Sequence, residues 1–419
     1  MISKDTLRQI AYRQRALFTA ESETVGRELL DRILPWMEDR RIIVLTGIRR
    51  CGKSTLLKQL SRVQKNWCYF NFEDERLLDF RTQDFEMLRE VLLEVYGSDE
   101  CCLFDEIQNV EKFEIFLRRL QDEGKKMVVT GSNASLLSRE LGTRLTGRYL
   151  AFELYPFSFR EFLDFKKIKI APDELFFTEK RVELITALTS YTIMGGFPEY
   201  LKNGDAEYIR ILYENIIYRD ILTRYSLRHE RLLKELIGLL SRQISSRFTY
   251  NGLKNNLGLS NSITVKEYIG YLSNSYLFFE LPKFSFSLKQ QLGAPKKIYL
   301  IDPAILEVCG PVFSPNKGRI LENIVFNELQ RQGKDITYFA GKNECDFITR
   351  NKNKTDQAIQ VCYSFDDDTR DRELSGLKEA MDFCHADNGI IITWEQSGEI
   401  SPDSGTISII PAWKWMVEN

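Results

Sequence analysis

No part of the chain constrains its folding more than residues 41–63. There the apolar run Arg41-Ile42-Ile43-Val44-Leu45-Thr46 breaks into Gly47-Ile48-Arg49-Arg50-Cys51-Gly52-Lys53-Ser54-Thr55, after which Leu56, Leu57, Leu60 and Val63 recur at helical spacing. A short β-branched run, a glycine-containing turn and a 3.6-residue apolar period predict strand, loop and helix, with those four side chains turned inward. The loop fits G-x-x-x-x-G-K-[ST] at Gly47, Gly52, Lys53 and Ser54. The spacing has a physical reason: glycines let the backbone curl until successive N–H groups converge on one phosphate, and the helix that follows adds the positive end of its dipole. In that geometry Lys53 bridges the β- and γ-phosphates, Ser54 binds Mg²⁺, and Thr55 caps the first turn or reaches the α-phosphate. A glycine-rich turn with an exposed lysine is the bland alternative.

The apolar run Cys101-Cys102-Leu103-Phe104 ends in Asp105-Glu106. A parallel strand placed beside the first would bring both acids to its carboxyl end, facing the loop. Asp105 then belongs to the Mg²⁺ shell and Glu106 polarises the attacking water. A third run, Lys125 to Thr130, ends in Thr130, Ser132 and Asn133. Ser132 and Asn133 are equal candidates for touching the γ-phosphate, or they cap a helix predicted over 135–141. Together with the run Asn66 to Asp74, these strands alternate with helices, so the predicted class is α/β, a parallel sheet covered on both faces. Arg139, Arg144, Arg148 and Arg160 follow; Arg148 is the candidate for a charge-stabilising finger, in cis or toward a neighbouring subunit. A guanine-reading N-K-x-D string occurs at Asn353-Lys354-Thr355-Asp356, far from the loop in a predicted polar turn, so adenine is the expected base.

With 419 residues the chain exceeds one ordinary core. Hydrophobic residues make up 43% and charged residues 28%, and Lys+Arg 58 against Asp+Glu 60 leaves a net charge of -2. That balance exerts no global pull toward nucleic acid. The first twenty residues lack a signal-peptide core, no run is long enough to span a bilayer, and a cytoplasmic protein is expected. The eight cysteines are scattered without a C-x-x-C pair and read as free buried thiols. With two histidines, His-based triad chemistry is disfavoured, and catalysis falls to carboxylates, Lys, Arg and a metal ion.

The segments "IIVLTGIRRCGKSTLL", "CCLFDEIQNV", "VVTGSNASLLSRELGTRLTGR", "LYPFSFREF", "GGFPEYL" and "YRDIL" together resemble the prokaryotic AAA-type ATP-binding proteins that carry a C-terminal domain of uncharacterised function. The resemblance runs over essentially the whole chain. It implies ATP and Mg²⁺ at Gly47 to Thr55 and Asp105, hydrolysis assisted by Glu106, and a sensor at Ser132 or Asn133.

Four regions are expected. The nucleotide domain, 1–165, is followed by a helical lid at 166–225, where Ile211, Ile216, Ile217 and Ile221 form an inward face. Residues 226–300 suggest a winged helix: helices, a glycine-containing turn, the helix "SITVKEYIGYLSN" as groove reader, and a β hairpin with Lys283 and Lys289 on the wing. From Arg228 to Lys297 there are eleven Lys/Arg and four Glu, a net of +7, which fits phosphate contacts, although such modules also serve as spacers or protein docks. Residues 301–419 resemble a restriction-nuclease core with Glu322 and Asp346. Gln360 and Cys362 stand where that core needs Glu and Lys, so no nuclease activity is expected. The readings carried forward are an ATPase coupled to a DNA- or protein-binding C-terminal half and, alternatively, a slow nucleotide switch. Oligomerisation is left open by the sequence.

Overall fold

The computed structural model describes residues 2–21, 23–133, 145, 147–310, 316–351, 354–401 and 406–418. Arg139, Arg144, Asn353 and the helix expected over 135–141 lie outside them. The chain forms two compact units, Met1–Tyr155 and Pro156–Asn419.

The first unit is built on five parallel strands: β1 (Ile42–Thr46), β2 (Trp67–Asn71), β3 (Cys101–Asp105), β4 (Lys126–Gly131) and β5 (Tyr149–Glu153), in the order β2-β3-β4-β1-β5. Every residue of β1 is buried, as a strand covered on both faces requires. The acid-bearing strand is not beside β1, as its sequence suggested: β4 lies between them. The separation has a use, because Thr130 near the end of β4 reaches the acids on β3. The helix Lys53–Val63 buries Leu56, Leu57 and Leu60, but Val63 is 57% exposed. It is the helix's last residue, where the chain turns away at Gln64. Helix Lys4–Thr19, capped by the Ser3 hydroxyl, packs against helix Phe85–Tyr96 and closes an aromatic-rich core around Phe70, Phe72, Phe104 and Phe116.

The first unit ends at Tyr155, ten residues before the anticipated boundary. Helix Phe159–Phe165, started by a Ser158/Glu161 capping box, belongs to the second unit. So do helices Thr178–Met194, Pro198–Asn203 and Ala206–Asn215, which expectation placed in a lid; the first and third pack against helix Pro303–Cys309, and the second packs against the third. Helix Ala206–Asn215 continues as a π-helix over Ile216–Thr223. Its wider turn shifts the buried face: Ile216, Ile217 and Ile221 are buried, whereas Ile211 is 51% exposed and Ile209 and Leu212 point inward instead.

Next comes helix Glu230–Arg242, strand β6 (Arg247–Phe248), helices Tyr250–Asn256 and Ser262–Asn274, then β7 (Phe278–Leu281) and β8 (Lys296–Leu300), which form an antiparallel sheet in the order β6-β8-β7. The connection between β7 and β8 contains a short helix, Leu288–Gly293. Before it, Phe284 N donates to the carbonyl of Tyr338 and Tyr338 N to that of Pro282, so Lys283, half-buried, is laid along the next sheet. That sheet holds β9 (Asp335–Ala340), β10 (Glu344–Asn351), β11 (Lys354–Val361), β12 (Asn388–Thr393), β13 (Gly398–Ile400) and β14 (Thr406–Pro411), in the order β13-β14-β12-β11-β10-β9. Helices Lys317–Arg331 and Asp367–Cys384 pack on it. The predicted polar turn around Asp356 is the start of β11, and Asp356 pairs with Lys334 at 2.9 Å.

Candidate functional site

The loop after β1 is shaped by close approaches that only glycine tolerates. At Gly47, φ 151°, a Cβ would fall 2.1 Å from the carbonyl oxygen of Leu154, and at Gly52, φ 103°, one would fall 2.8 Å from Nη1 of Arg27. Gly52 is the N-cap of helix Lys53–Val63, so Thr55 sits within the first turn and is not the cap. Ile48 and Cys51 are buried, Arg49 pairs with Glu73 at 3.2 Å, and Arg50 takes a left-handed φ of 66° with its side chain in solvent. Burial pushes the Cys51 thiol up, against the pull of Lys53 and Arg27, which makes it a packing group and not a nucleophile.

Lys53 is buried with its ammonium turned into the loop. It donates to the carbonyls of Gly47 at 3.1 Å and Ile48 at 3.3 Å and stands 3.6 Å from Glu106 Oε1. Burial lowers its pKa, but the charges around it, that of Glu106 foremost, outweigh that and hold the ammonium above its usual range. Asp105 is buried at the end of β3. It accepts hydrogen bonds from Ser54, from the Thr130 hydroxyl and from Tyr69 at 3.1 Å. Glu106 has a left-handed φ of 52°, donates its N–H to Thr130 at 2.9 Å and accepts from Gln108 at 2.5 Å.

The two neighbouring carboxyls are driven apart. Burial raises Asp105, and the Glu106 charge adds to it over the opposition of Ser54, Thr130 and Lys53. Burial also pushes Glu106 up, but Lys53, Gln108 and Arg49 more than reverse it. A buried carboxylate destabilised by its neighbour's charge is relieved by a cation, and Ser54 and Asp105, already in contact, offer the hard oxygen donors that Mg²⁺ takes. Among the described residues no three acidic, His or Cys side chains converge to hold a metal. That is compatible with Mg²⁺ at a phosphate, which keeps waters and needs one or two protein ligands.

The structure thus brings together Gly47, Gly52, Lys53, Ser54, Asp105 and Glu106. Ser132 and Asn133 are buried just past the end of β4; the side chain at this strand end that touches both acids is Thr130. Arg148 is corrected: it precedes β5, its carbonyl accepts from the N–H of Ile42 at the amino end of β1, and its guanidinium pairs with Asp122 at 2.5 Å. The loop leaves the opposite end of β1, so Arg148 is a strand's length from the phosphate position and cannot act there in cis. Arg160 is exposed on helix Phe159–Phe165 in the second unit. Arg27 was missed: buried, it donates to the carbonyls of Cys51 at 2.6 Å and Tyr155 at 2.7 Å. Its sequence signal, one arginine after Gly26 outside any periodic segment, is too slight to single out.

A second cluster of buried charge lies in the other unit. Lys297 on β8, 1% exposed, meets Asp346 at 2.7 Å, Glu344 at 2.8 Å and Glu322 at 3.0 Å. Tyr299 donates to Glu322 at 2.7 Å, the N–H of Val361 to Asp346 at 2.9 Å, and Gln360 to Glu373 at 2.5 Å. An ammonium therefore stands among these acids, although Cys362 removed one from the expected position. The adjacent pair Lys296-Lys297 in an apolar strand carried the signal, since alternation must turn one of them inward.

The family model of an AAA domain matches residues 39–163, and a model of a domain of unknown function, DUF8612, matches residues 185–313. An uncharacterised protein of Methanocaldococcus jannaschii, MJ1544, is 33% identical over 99% of this chain and 96% of its own length. The chain belongs to this family of AAA-domain P-loop ATPases. The chain is also similar to an uncharacterised Haemophilus influenzae protein, 29% identical over 85% of this chain and 91% of its own length. Among solved structures, the Walker-type ATPase PABY2304 of Pyrococcus abyssi overlaps 70% of this chain and 99% of its own at 16% identity, with a TM-score of 0.45. No helix among the described residues of this AAA-domain protein is long and apolar enough to cross a membrane.

Proposed function

We propose that the chain binds ATP with Mg²⁺ at Gly47 to Thr55 and hydrolyses it. The observation that carries this reading is the convergence of Lys53, the Ser54–Asp105 pair and Glu106 at the start of helix Lys53–Val63. Lys53 exchanges its loop carbonyls for β- and γ-phosphate oxygens, and the loop N–H groups take the remainder of that charge. Ser54 and Asp105 hold Mg²⁺, which supplies charge neutralisation on the phosphates. Glu106 takes a proton from water while the water oxygen bonds to the γ-phosphorus and the bond to the β-phosphate oxygen breaks, releasing ADP and phosphate. Ser132 or Asn133 senses the γ-phosphate from the end of β4. Glu106→Gln tests the assignment: ATP binding persists and steady-state phosphate release stops. Release at the parent rate would remove Glu106 from the role of base.

A second reading, a slow nucleotide switch, is favoured by two contacts. A carboxylate held below its ordinary range by Lys53 and by Gln108 is a weak base until those contacts loosen.

The C-terminal half is proposed to be a binding module driven by the cycle. Residues 226–300, in winged-helix order, would dock DNA or a protein, and the nuclease-like sheet at 301–419 would be catalytically silent. Lys297, by occupying the space among Glu322, Glu344 and Asp346, supports the silence. It also trims the basic surplus, as Arg247 does: both are paired with carboxylates outside residues 228–297. Titration of a DNA duplex at rising salt separates the partners, because phosphate contacts predict a steep fall in affinity and a protein dock predicts none.

A further inference from the structure

The Gly195-Gly196 turn, conspicuous in the sequence, has no part in the nucleotide site, yet it is among the tightest backbone packings in the second unit. A Cβ on Gly196 would fall 2.3 Å from the carbonyl oxygen of Phe157, and one on Gly195, φ 62°, would fall 1.8 Å from Oδ1 of Asp302. The approach serves hydrogen bonds. Phe157 N donates to the Gly196 carbonyl at 2.7 Å, and Gly196 N donates to Oδ2 of Asp302 at 2.7 Å. Asp302 also caps helix Pro303–Cys309 through the N–H of Ala304 and lies two residues past the strand that carries Lys297. The Phe157 carbonyl accepts from the Tyr191 hydroxyl at 2.7 Å and from Nη2 of Arg331 at 3.2 Å, and the same Arg331 nitrogen reaches the Pro156 carbonyl at 3.3 Å.

Within the first unit the chain just before that point is gripped in the same manner. The Leu154 N–H donates to Thr46, the last residue of β1, at 2.8 Å, and the Leu154 carbonyl lies against Gly47. Buried Arg27 joins the Tyr155 carbonyl to that of Cys51 in the phosphate loop. Tyr155 and Pro156 are consecutive, and proline fixes its own φ while restricting the residue before it.

We propose that Arg27 and Arg331 are positioning residues that tie the phosphate loop to the second unit through the backbone of Tyr155, Pro156 and Phe157, so that nucleotide in the loop is read out at Gly196 and Asp302. The proposal rests on the nucleotide reading above. Phosphate that draws loop N–H groups inward changes the position of the Cys51 carbonyl, and Arg27 carries that change to Tyr155. On the far side of the peptide bond, Arg331 and Tyr191 hold the next two carbonyls against the Gly196 turn. Arginine suits both places: the planar fork of Arg27 reaches two carbonyls through its two terminal nitrogens, and one nitrogen of Arg331 reaches two consecutive carbonyls.

The test is hydrogen exchange on the full chain carrying Glu106→Gln, with and without saturating ATP and Mg²⁺, reading peptides that contain Phe157, Gly196 and Ala304. ATP is expected to slow their exchange about tenfold. Arg331→Gln added to that chain should bind ATP within about threefold of the parent while its exchange response shrinks below about twofold. Arg27→Gln should weaken ATP binding by about tenfold or more, the loss of a charge-assisted hydrogen bond to the loop, and should lose the response. Tyr191→Phe removes a single hydroxyl and should roughly halve the response, which keeps the test open if Arg331→Gln does not fold. ATP bound with no change at Phe157 and Gly196, or a full response in both Arg331→Gln and Tyr191→Phe, overturns the proposal and leaves the nucleotide reading intact. An Arg27→Gln chain that melts earlier but binds ATP as the parent does reduces Arg27 to a structural residue. A parent chain that binds no ATP overturns both readings.

Discussion

Two lysines buried among acids occupy the two units, and they behave oppositely. Lys53 rests on two backbone carbonyls at 3.1 and 3.3 Å with its nearest carboxylate at 3.6 Å. Lys297 has three carboxylates between 2.7 and 3.0 Å and a tyrosine hydroxyl on one of them. Neutral carbonyls hold an ammonium weakly enough for a triphosphate to take it over. Three carboxylates in a low dielectric do not let go. The same residue type, buried near acids in both units, thus marks the proposed ligand site in one and a closed internal ion cluster in the other, and looseness of contact separates them.

That contrast can be broken in four ways. Glu106→Gln is expected to lower kcat by about 10²- to 10⁴-fold at unchanged ATP affinity, the loss of a general base, read by phosphate release and calorimetry. Lys297→Met leaves buried carboxylates uncompensated and should cost about 3–5 kcal/mol in chemical denaturation of the second unit without altering ATP affinity. An ATP affinity that moved with it would show the two lysines to be linked. Lys53→Ala should weaken ATP binding by about 100-fold and cost less stability than Lys297→Met, since two carbonyl contacts and one loose carboxylate pairing are lost. The smallest effect is a slope. Burial and the Asp346 charge push Glu322 from an ordinary 4.5 up to about 8. Between those values the folded chain keeps a proton that the unfolded chain has released, so the contribution of Glu322 to stability falls as pH rises from 4.5 to 8. Glu322→Gln should flatten that part of the stability profile; an unchanged slope would mean that Glu322 stays ionised beside Lys297.

The nucleotide half was largely readable because its signals are local. Gly47, Gly52, Lys53 and Ser54 occupy fixed offsets, and Asp105-Glu106 closes an apolar run. Strand order was not readable. Nothing local tells Thr130 that it will stand between β1 and β3, since that position follows from how crossover connections stack in the whole sheet. Arg148 looked like a finger because sequence gives no sign of which end of a sheet a loop occupies. Ile211 fitted a 3.6-residue period that the π-helix at Ile216–Thr223 interrupts. Lys297 escaped because the nuclease-like pattern directs attention to Gln360 and Cys362, whereas its ammonium comes from a strand in another part of the unit.

The pairing of residues 282–284 with Tyr338 reaches beyond the placement of Lys283. A border strand such as β9 presents unmatched amide groups that could recruit another polypeptide. Its cover is made before it: during synthesis the 282–284 segment leaves the ribosome ahead of β9, so the vulnerable margin emerges beside a neighbour already waiting. The opposite margin, β13, is only three residues long. A newly made chain is therefore defended against misassembly at both sides of its largest sheet, by the order of its own translation on one side and by brevity on the other.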